Sequence, residues 1–154
     1  MADRETLDHN LMQLAWEVAQ NSNCRRRQVG AVIVQNDVAV VTAANGTYPE
    51  IASCNEGVCE RCLSDADSGG SYDSCLCIHA EQAAIANAAR LAKITQGATL
   101  YCTLRPCIPC LNLCLHAGVI RIVYDETIQF PADVEIAYKQ LVLGAPIIII
   151  QVRR

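Results

Sequence analysis

The sequence predicts an α/β fold of three α/β/α layers, with a central five-stranded mixed sheet between two layers of helices. Two observations carry this. Segments with helical periodicity alternate with short apolar runs in the order α-β-β-α-β-α-β-α-β. The runs are almost continuously apolar, which suits strands covered on both faces; a strand with one face in water would alternate polar and apolar residues. The chain has 154 residues, 52% of them apolar, enough for one sizeable core. A single domain over 1–154 is expected, with a cysteine-rich insert at about 47–77.

The elements follow in order. Leu7, Leu11, Leu14, Ala15 and Val18 share one helical face, so a helix is expected from about Thr6 to Gln20. QVGAVIVQNDVAVVTAANG reads as two strands with the turn at QND, 35–37. From Thr47 to Ser74 the periodicity stops, in a stretch rich in Gly, Ser, Asp and Cys. A loop of that length inside a compact domain is usually functional, and its cysteines suggest that a metal organises it. Helix is expected again from about Ile78 to Lys93, followed by the strand GATLYCTL. Pro106 is placed in the first turn of the next helix, where proline is tolerated, and Gly118 at its stop. VIRIVY is a strand, PADVEIAYKQLVL a helix opened by Pro131 and closed by Gly144, and APIIIIQV the last strand.

The formal charge of −4 argues against a broad basic surface for nucleic acid, although RRR at 25–27 makes a local patch. The N-terminal residues carry no apolar leader segment, and PIIIIQV is too short to span a bilayer. A cytoplasmic protein without membrane attachment is therefore expected. In that reducing compartment, ten cysteines point to metal binding or catalysis rather than to a disulfide framework.

Two helix starts carry the chemistry. His79 stands at the front of one; Cys107 and Cys110 stand at the front of another, one turn apart and on one face. Helix N-termini carry partial positive charge and unpaired N–H groups, which favour the thiolate form that metals require. One imidazole and two thiolates make three corners of a zinc tetrahedron, and a water in the fourth position is the catalytic arrangement. Glu81 follows His79 by two residues. On a regular helix it would point about 200° away from the imidazole, but a distorted first turn would let it face the open position and carry that water's proton. Alternatively, Cys75 or Cys77 fills the fourth corner, the zinc is purely structural, and Glu81 is an ordinary acid near a helix N-terminus.

HAE at 79–81 followed by PCIPC at 106–110 matches the zinc deaminase pattern H-x-E…P-C-x-x-C. With RRRQVGAVIV, NG at 45–46, CNEGVCERC, CLCIHAEQAAI, TLYCTLRPCIPC and HAGVIRIVY, the chain from about Cys24 to Tyr124 resembles the cytidine and deoxycytidylate deaminase superfamily, and most of all the dCMP deaminases. The resemblance implies His79, Cys107 and Cys110 as ligands of a catalytic Zn2+ and Glu81 as proton shuttle. It implies hydrolysis of dCMP to dUMP and ammonia, with dCTP and dTTP as effectors and a homo-oligomer, often a hexamer. Asn45 and Ala80 are placed at the nucleotide, and Arg25, Arg26, Arg27 or Arg105 at its phosphate. Many members carry GYNG where this chain has AANG, so Ala44 replaces an aromatic residue. Arg105 stands where relatives acting on tRNA carry glutamate.

The resemblance also implies a second, structural zinc on Cys24, Cys54, Cys59 and Cys75, with Cys62 and Cys77 in reserve because CERC at 59–62 is itself a plausible chelate. The alternative is a set of free thiols acting as small hydrophobes. Cys102 and Cys114 are expected in the core. Other functions compatible with the pattern are deamination of cytidine, guanine or tRNA adenosine, or a zinc-stabilised binding module without catalysis, which would have no use for Glu81.

Overall fold

The computed structural model describes residues 3–67 and 70–153. Residues 68 and 69 of the expected insert, and residues 1, 2 and 154 of the expected domain, lie outside the described residues. Helix α1 spans Arg4–Ala19, β1 Gly30–Gln35, β2 Val38–Ala44, α2 Glu60–Leu63, α3 Ala80–Arg90, β3 Thr99–Leu104, α4 Ile108–His116, β4 Arg121–Glu126, α5 Ala132–Gly144 and β5 Ile148–Gln151. The sheet order is β2-β1-β3-β4-β5. β1 pairs antiparallel with β2 and β3, whereas β3, β4 and β5 run parallel. The sheet is thus mixed and five-stranded, as the sequence predicts.

Alternation along the strands sorts the core into two layers. Ala31 and Ile33, Leu100 and Cys102, and Ile122 face one side, where they meet Ala80, Ala84 and Ala88 of α3, Leu111 and Cys114 of α4, and Tyr138 of α5. Val32 and Val34, Tyr101 and Val123 face the other side and meet Leu11, Met12, Ala15 and Val18 of α1. Period-two strands between period-3.6 helix faces produce the three layers directly. α1 lies very close to β1: a Cβ on Gly30 would sit 2.0 Å from the Ala15 carbonyl oxygen. A buried network ties the same helix to the sheet. Tyr101 Oη donates to Asp8 Oδ1 at 2.6 Å, and Arg121 Nη1 donates to the same oxygen at 3.0 Å.

Several boundaries differ from the sequence expectation for local reasons. α1 starts at Arg4 because the Asp3 carboxylate caps it, accepting from Thr6 N at 2.7 Å. The hairpin turn is Asn36-Asp37, both at positive φ, and Gln35 stays in β1. Residue 78 is not helical: Ile78 pairs with Gly46 in an isolated antiparallel bridge, so α3 begins at Ala80. Pro106 lies before α4 rather than in its first turn; Cys107 is the N-cap and Pro109 occupies the first turn. The segment expected as a long loop organised by a metal contains α2 and short 3-10 turns at Cys54–Glu56 and Tyr72–Ser74. Among the described residues no helix is long and apolar enough to cross a membrane.

Candidate active site

Strand β3 ends at Leu104, and the chain passes through Arg105 and Pro106 into α4. That places Cys107 at the N-cap and Cys110 in the first turn. α3 brings His79 to the same place. The two hydrogen bonds of the Gly46–Ile78 bridge, 3.2 and 2.9 Å, hold Ile78 extended, and His79 becomes the N-cap of α3 with ψ 150°. Gly46 itself has φ +154°, and a Cβ there would lie 2.4 Å from Asn23 Oδ1, so both backbone and space at this position suit glycine. His79 N–H donates to Gln82 Oε1 at 3.1 Å, which fixes the entry of the helix.

His79 Nδ1 lies 3.3 Å from Cys110 Sγ and 3.5 Å from Cys107 Sγ. A tetrahedral zinc with ordinary Zn–N and Zn–S bonds separates such ligand atoms by about 3.5 Å. The three residues therefore fit one zinc ion without rearrangement, and they are a donor set that zinc favours. Cys107 is held toward the thiolate, down to about 4, chiefly by its hydrogen bond from Cys110 and also by His79. Cys110 is pushed the other way, toward the protonated thiol, by that same contact and by burial. His79 is raised through its contact with Cys107.

Glu81 is 4% exposed, and burial raises its carboxyl to about 7. Because His79 is extended rather than helical, the 200° rule does not separate the two residues, and both face one cavity. That cavity holds about 220 Å³ and is also walled by Asn45, Ala80, Arg27 and Phe130. A carboxyl that exchanges its proton near neutrality beside a His/Cys/Cys set has the properties of a general acid–base.

The remaining expected residues divide. Asn45 lines the cavity, with its amide already engaged: Oδ1 accepts from Val29 N and Nδ2 donates to Arg27 O, both at 2.8 Å. It thereby holds the 27–29 segment against the cavity and keeps one N–H and one lone pair for a ligand. Arg26 and Arg27 line the cavity, and Arg26 also donates to Ala66 O. Arg25 does not; it lines a neighbouring cleft with Trp16 and Glu126. Arg105 reaches the cavity but is paired with Glu135 through both terminal nitrogens and stacks 4.5 Å from the Tyr138 ring. Much of its charge is spent within the protein.

Cys24, Cys54, Cys59 and Cys75 do not form one ligand set. Cys24 and Cys54 converge with Cys62 and Cys77, while Cys59 and Cys75 form a second set with the same Cys62 and Cys77. The two reserve residues are thus common to both sets. Arg61 and Phe130, which the sequence reading passes over, also wall the cavity. Arg61 sits inside the CERC chelate pattern, where only the cysteines carry a recognisable spacing signal. Phe130 comes from the connection before α5, which has no motif.

A profile described as "Cytidine and deoxycytidylate deaminase zinc-binding region" matches residues 5–126. The chain belongs to this family. A deoxycytidylate deaminase of Schizosaccharomyces pombe is 38% identical over 124 residues, covering 80% of this chain and 38% of that one. This deaminase-family chain thus spans well under half the length of that relative. The deoxycytidylate deaminase of Mycobacterium phage D29 is 39% identical over 128 residues, covering 80% of this chain and 97% of its own. The crystal structure of the cyanophage S-TIM5 dCMP deaminase in complex with dCMP and dUMP superposes with a TM-score of 0.71 over 99% of this chain and 100% of that one, at 24% identity. That likeness shows a shared fold.

Proposed function

We propose that this chain hydrolyses dCMP to dUMP and ammonia, using a zinc ion held by His79, Cys107 and Cys110. The observation that carries the reading is Glu81: a buried carboxyl, raised to about 7, in the cavity where the three ligand atoms converge. A zinc-stabilised module without catalysis gives no reason to bury an acid there, since burying a carboxylate costs stability. The family description names a zinc-binding region, and the ligand separations fit zinc.

Zinc, when bound, supplies a Lewis acid that lowers the pKa of water. The protein supplies the rest. Glu81 accepts one proton from the attacking water and delivers it to N3 of the cytosine, then takes the remaining proton from the hydroxyl formed at C4 and gives it to the amine that leaves. Water's oxygen becomes the O4 of uracil, and the amino group departs as ammonia. Burial disfavours the charged form of the Glu81 carboxyl, which suits a group that must both take and return a proton.

The choice of dCMP is supported by relatives named deoxycytidylate deaminases, one of which this chain spans almost completely. It is supported too by Arg26 and Arg27 on the cavity wall, positions from which a guanidinium can pair with a 5′-phosphate. Asn45 is assigned to the nucleotide through its remaining hydrogen-bonding capacity. Regulation by dCTP and dTTP and a homo-oligomeric assembly, hexameric in many dCMP deaminases, belong to the same reading. Ile136 and Leu143 of α5 and Ile148 of β5, all exposed, offer apolar surface for the assembly. The direct test is ammonia release from the zinc-loaded chain across dCMP, CMP, deoxycytidine, dCTP and guanine. A clear preference for dCMP supports the assignment. Equal turnover of deoxycytidine, or turnover of guanine alone, overturns it.

A further inference from the structure

Six cysteines outside the catalytic set, Cys24, Cys54, Cys59, Cys62, Cys75 and Cys77, form a cluster in which, among the described residues, no aliphatic side chain takes part. Five of the six are buried, and all are free thiols. A cysteine acting as a small hydrophobe would be interleaved with Val, Leu or Ile, as Cys102 and Cys114 are in the main core. Here sulfur meets sulfur. Cys24 Sγ lies 4.0 Å from Cys62 Sγ, and Cys59 Sγ lies 3.9 Å from Cys75 Sγ. These separations are about twice a disulfide bond. They match the edge of a tetrahedron of thiolates around one zinc, about 3.8 Å for ordinary Zn–S bonds.

The sulfurs fall into two groups of four, each with all its members within 4.8 Å of one another: Cys24, Cys54, Cys62 and Cys77, and Cys59, Cys62, Cys75 and Cys77. The groups overlap in Cys62 and Cys77. A four-coordinate metal needs four ligands, so six thiolates satisfy two ions only when two of the thiolates bridge. We propose that the insert holds a binuclear zinc cluster, with Cys62 and Cys77 as bridging thiolates, Cys24 and Cys54 terminal on one ion, and Cys59 and Cys75 terminal on the other. This goes beyond a single structural zinc, which would leave two of the six thiols without a role.

Two further observations fit. Six thiolates around two divalent ions leave a net charge of −2, and Arg26, Arg27 and Arg61 all line the cavity that Cys24, Cys75 and Cys77 help to wall. The backbone N–H of Leu76 donates to Cys59 Sγ at 3.4 Å, a contact suited to a sulfur carrying negative charge. The cluster would also explain how this stretch folds. The 3-10 turn at Cys54–Glu56, the single turn of α2 and the strand-like entry to His79 share no aliphatic core of their own, and a metal core replaces it. Cys77 stands two residues before His79, so the cluster holds one wall of the catalytic cavity in place.

The test is the zinc content of the full-length protein purified with zinc and reductant, read by native mass spectrometry and elemental analysis. The proposal requires three zinc ions per chain, and two in His79→Ala. Cys59→Ser and Cys24→Ser should each lose one ion, whereas Cys62→Ser and Cys77→Ser should lose both cluster ions. Two ions per chain in the parent, with Cys59→Ser and Cys75→Ser unchanged, would show a single ion on the other four thiols and overturn the bridged cluster. One ion per chain would show packing thiols only and overturn it as well. Should the cysteine variants fail to fold, X-ray absorption on the parent and on His79→Ala decides. The cluster requires a zinc–zinc scattering path, and its absence at full zinc loading contradicts the proposal. None of these readouts depends on turnover, so they stand or fall separately from the dCMP assignment.

Discussion

The arginines near the cavity have different roles because their surroundings differ. Arg27 lines both the cavity and a neighbouring cleft, whereas Arg25 lines the cleft and not the cavity. One charge-assisted contact to a phosphate is worth about 1.5–3 kcal/mol, or roughly ten- to hundredfold in kcat/KM. Arg27→Ala should therefore lower kcat/KM for dCMP by about that factor and leave the weaker activity on deoxycytidine nearly unchanged. Arg25→Ala should alter neither. Steady-state kinetics on the two substrates check both expectations, and the reverse pattern would move the phosphate site to the neighbouring cleft. The sequence presents these three arginines as one undivided run. Their division depends on how the 24–29 segment turns into β1, with Asn45 bonded to both Arg27 and Val29.

At the scale of elements, the contact between α1 and the sheet makes two predictions. Gly30→Ala would drive a Cβ into the Ala15 carbonyl, backbone against backbone, so the helix must shift. A loss of about 3 kcal/mol in denaturant unfolding is expected, the upper end for overpacking. Asp8 gives the pH dependence. Burial alone would raise its carboxyl, but hydrogen bonds from Arg121 and Tyr101 prevail and hold it below its ordinary value of 3.8. A depressed carboxyl stabilises the fold above its unfolded pKa, and that stability is lost as pH falls through the folded pKa. Asp8→Asn should thus cost about 3 kcal/mol at pH 7, the range for breaking one side of a buried pair. The gap to the parent should close as pH falls below about 4, which thermal melts across pH 3–8 would show.

Elements also mark how far the sequence can be read. Every strand and long helix is legible, because period-two and period-3.6 apolar patterns report directly on burial. The proposed metal ligands are legible too, since an alanine-rich run after His79 and prolines around Cys107 announce helix starts. The orientation of Glu81 toward the cavity is not. It depends on the Gly46–Ile78 bridge, a contact between distant segments that keeps His79 out of the helix. The grouping of the insert cysteines is hidden for the same reason: spacing such as CERC shows which residues could chelate, but folding decides which sulfurs meet.

For the molecule as a whole, the sheet, the two helix starts and the insert converge on one cavity, and the central claim is that this cavity deaminates dCMP with Glu81 as proton carrier. General acid–base catalysis by one side chain contributes about 10²–10⁴-fold. The most direct measurement follows dCMP, dUMP and ammonia by mass and enzymatic assay for the zinc-loaded parent and for Glu81→Gln side by side, with zinc content and unfolding temperature recorded for both. The account predicts stoichiometric dUMP and ammonia from the parent, and at least a hundredfold less from a Glu81→Gln variant that keeps its zinc and its fold. Turnover of dCMP by Glu81→Gln at close to the parent rate, or no dUMP from a fully zinc-loaded parent, would contradict it.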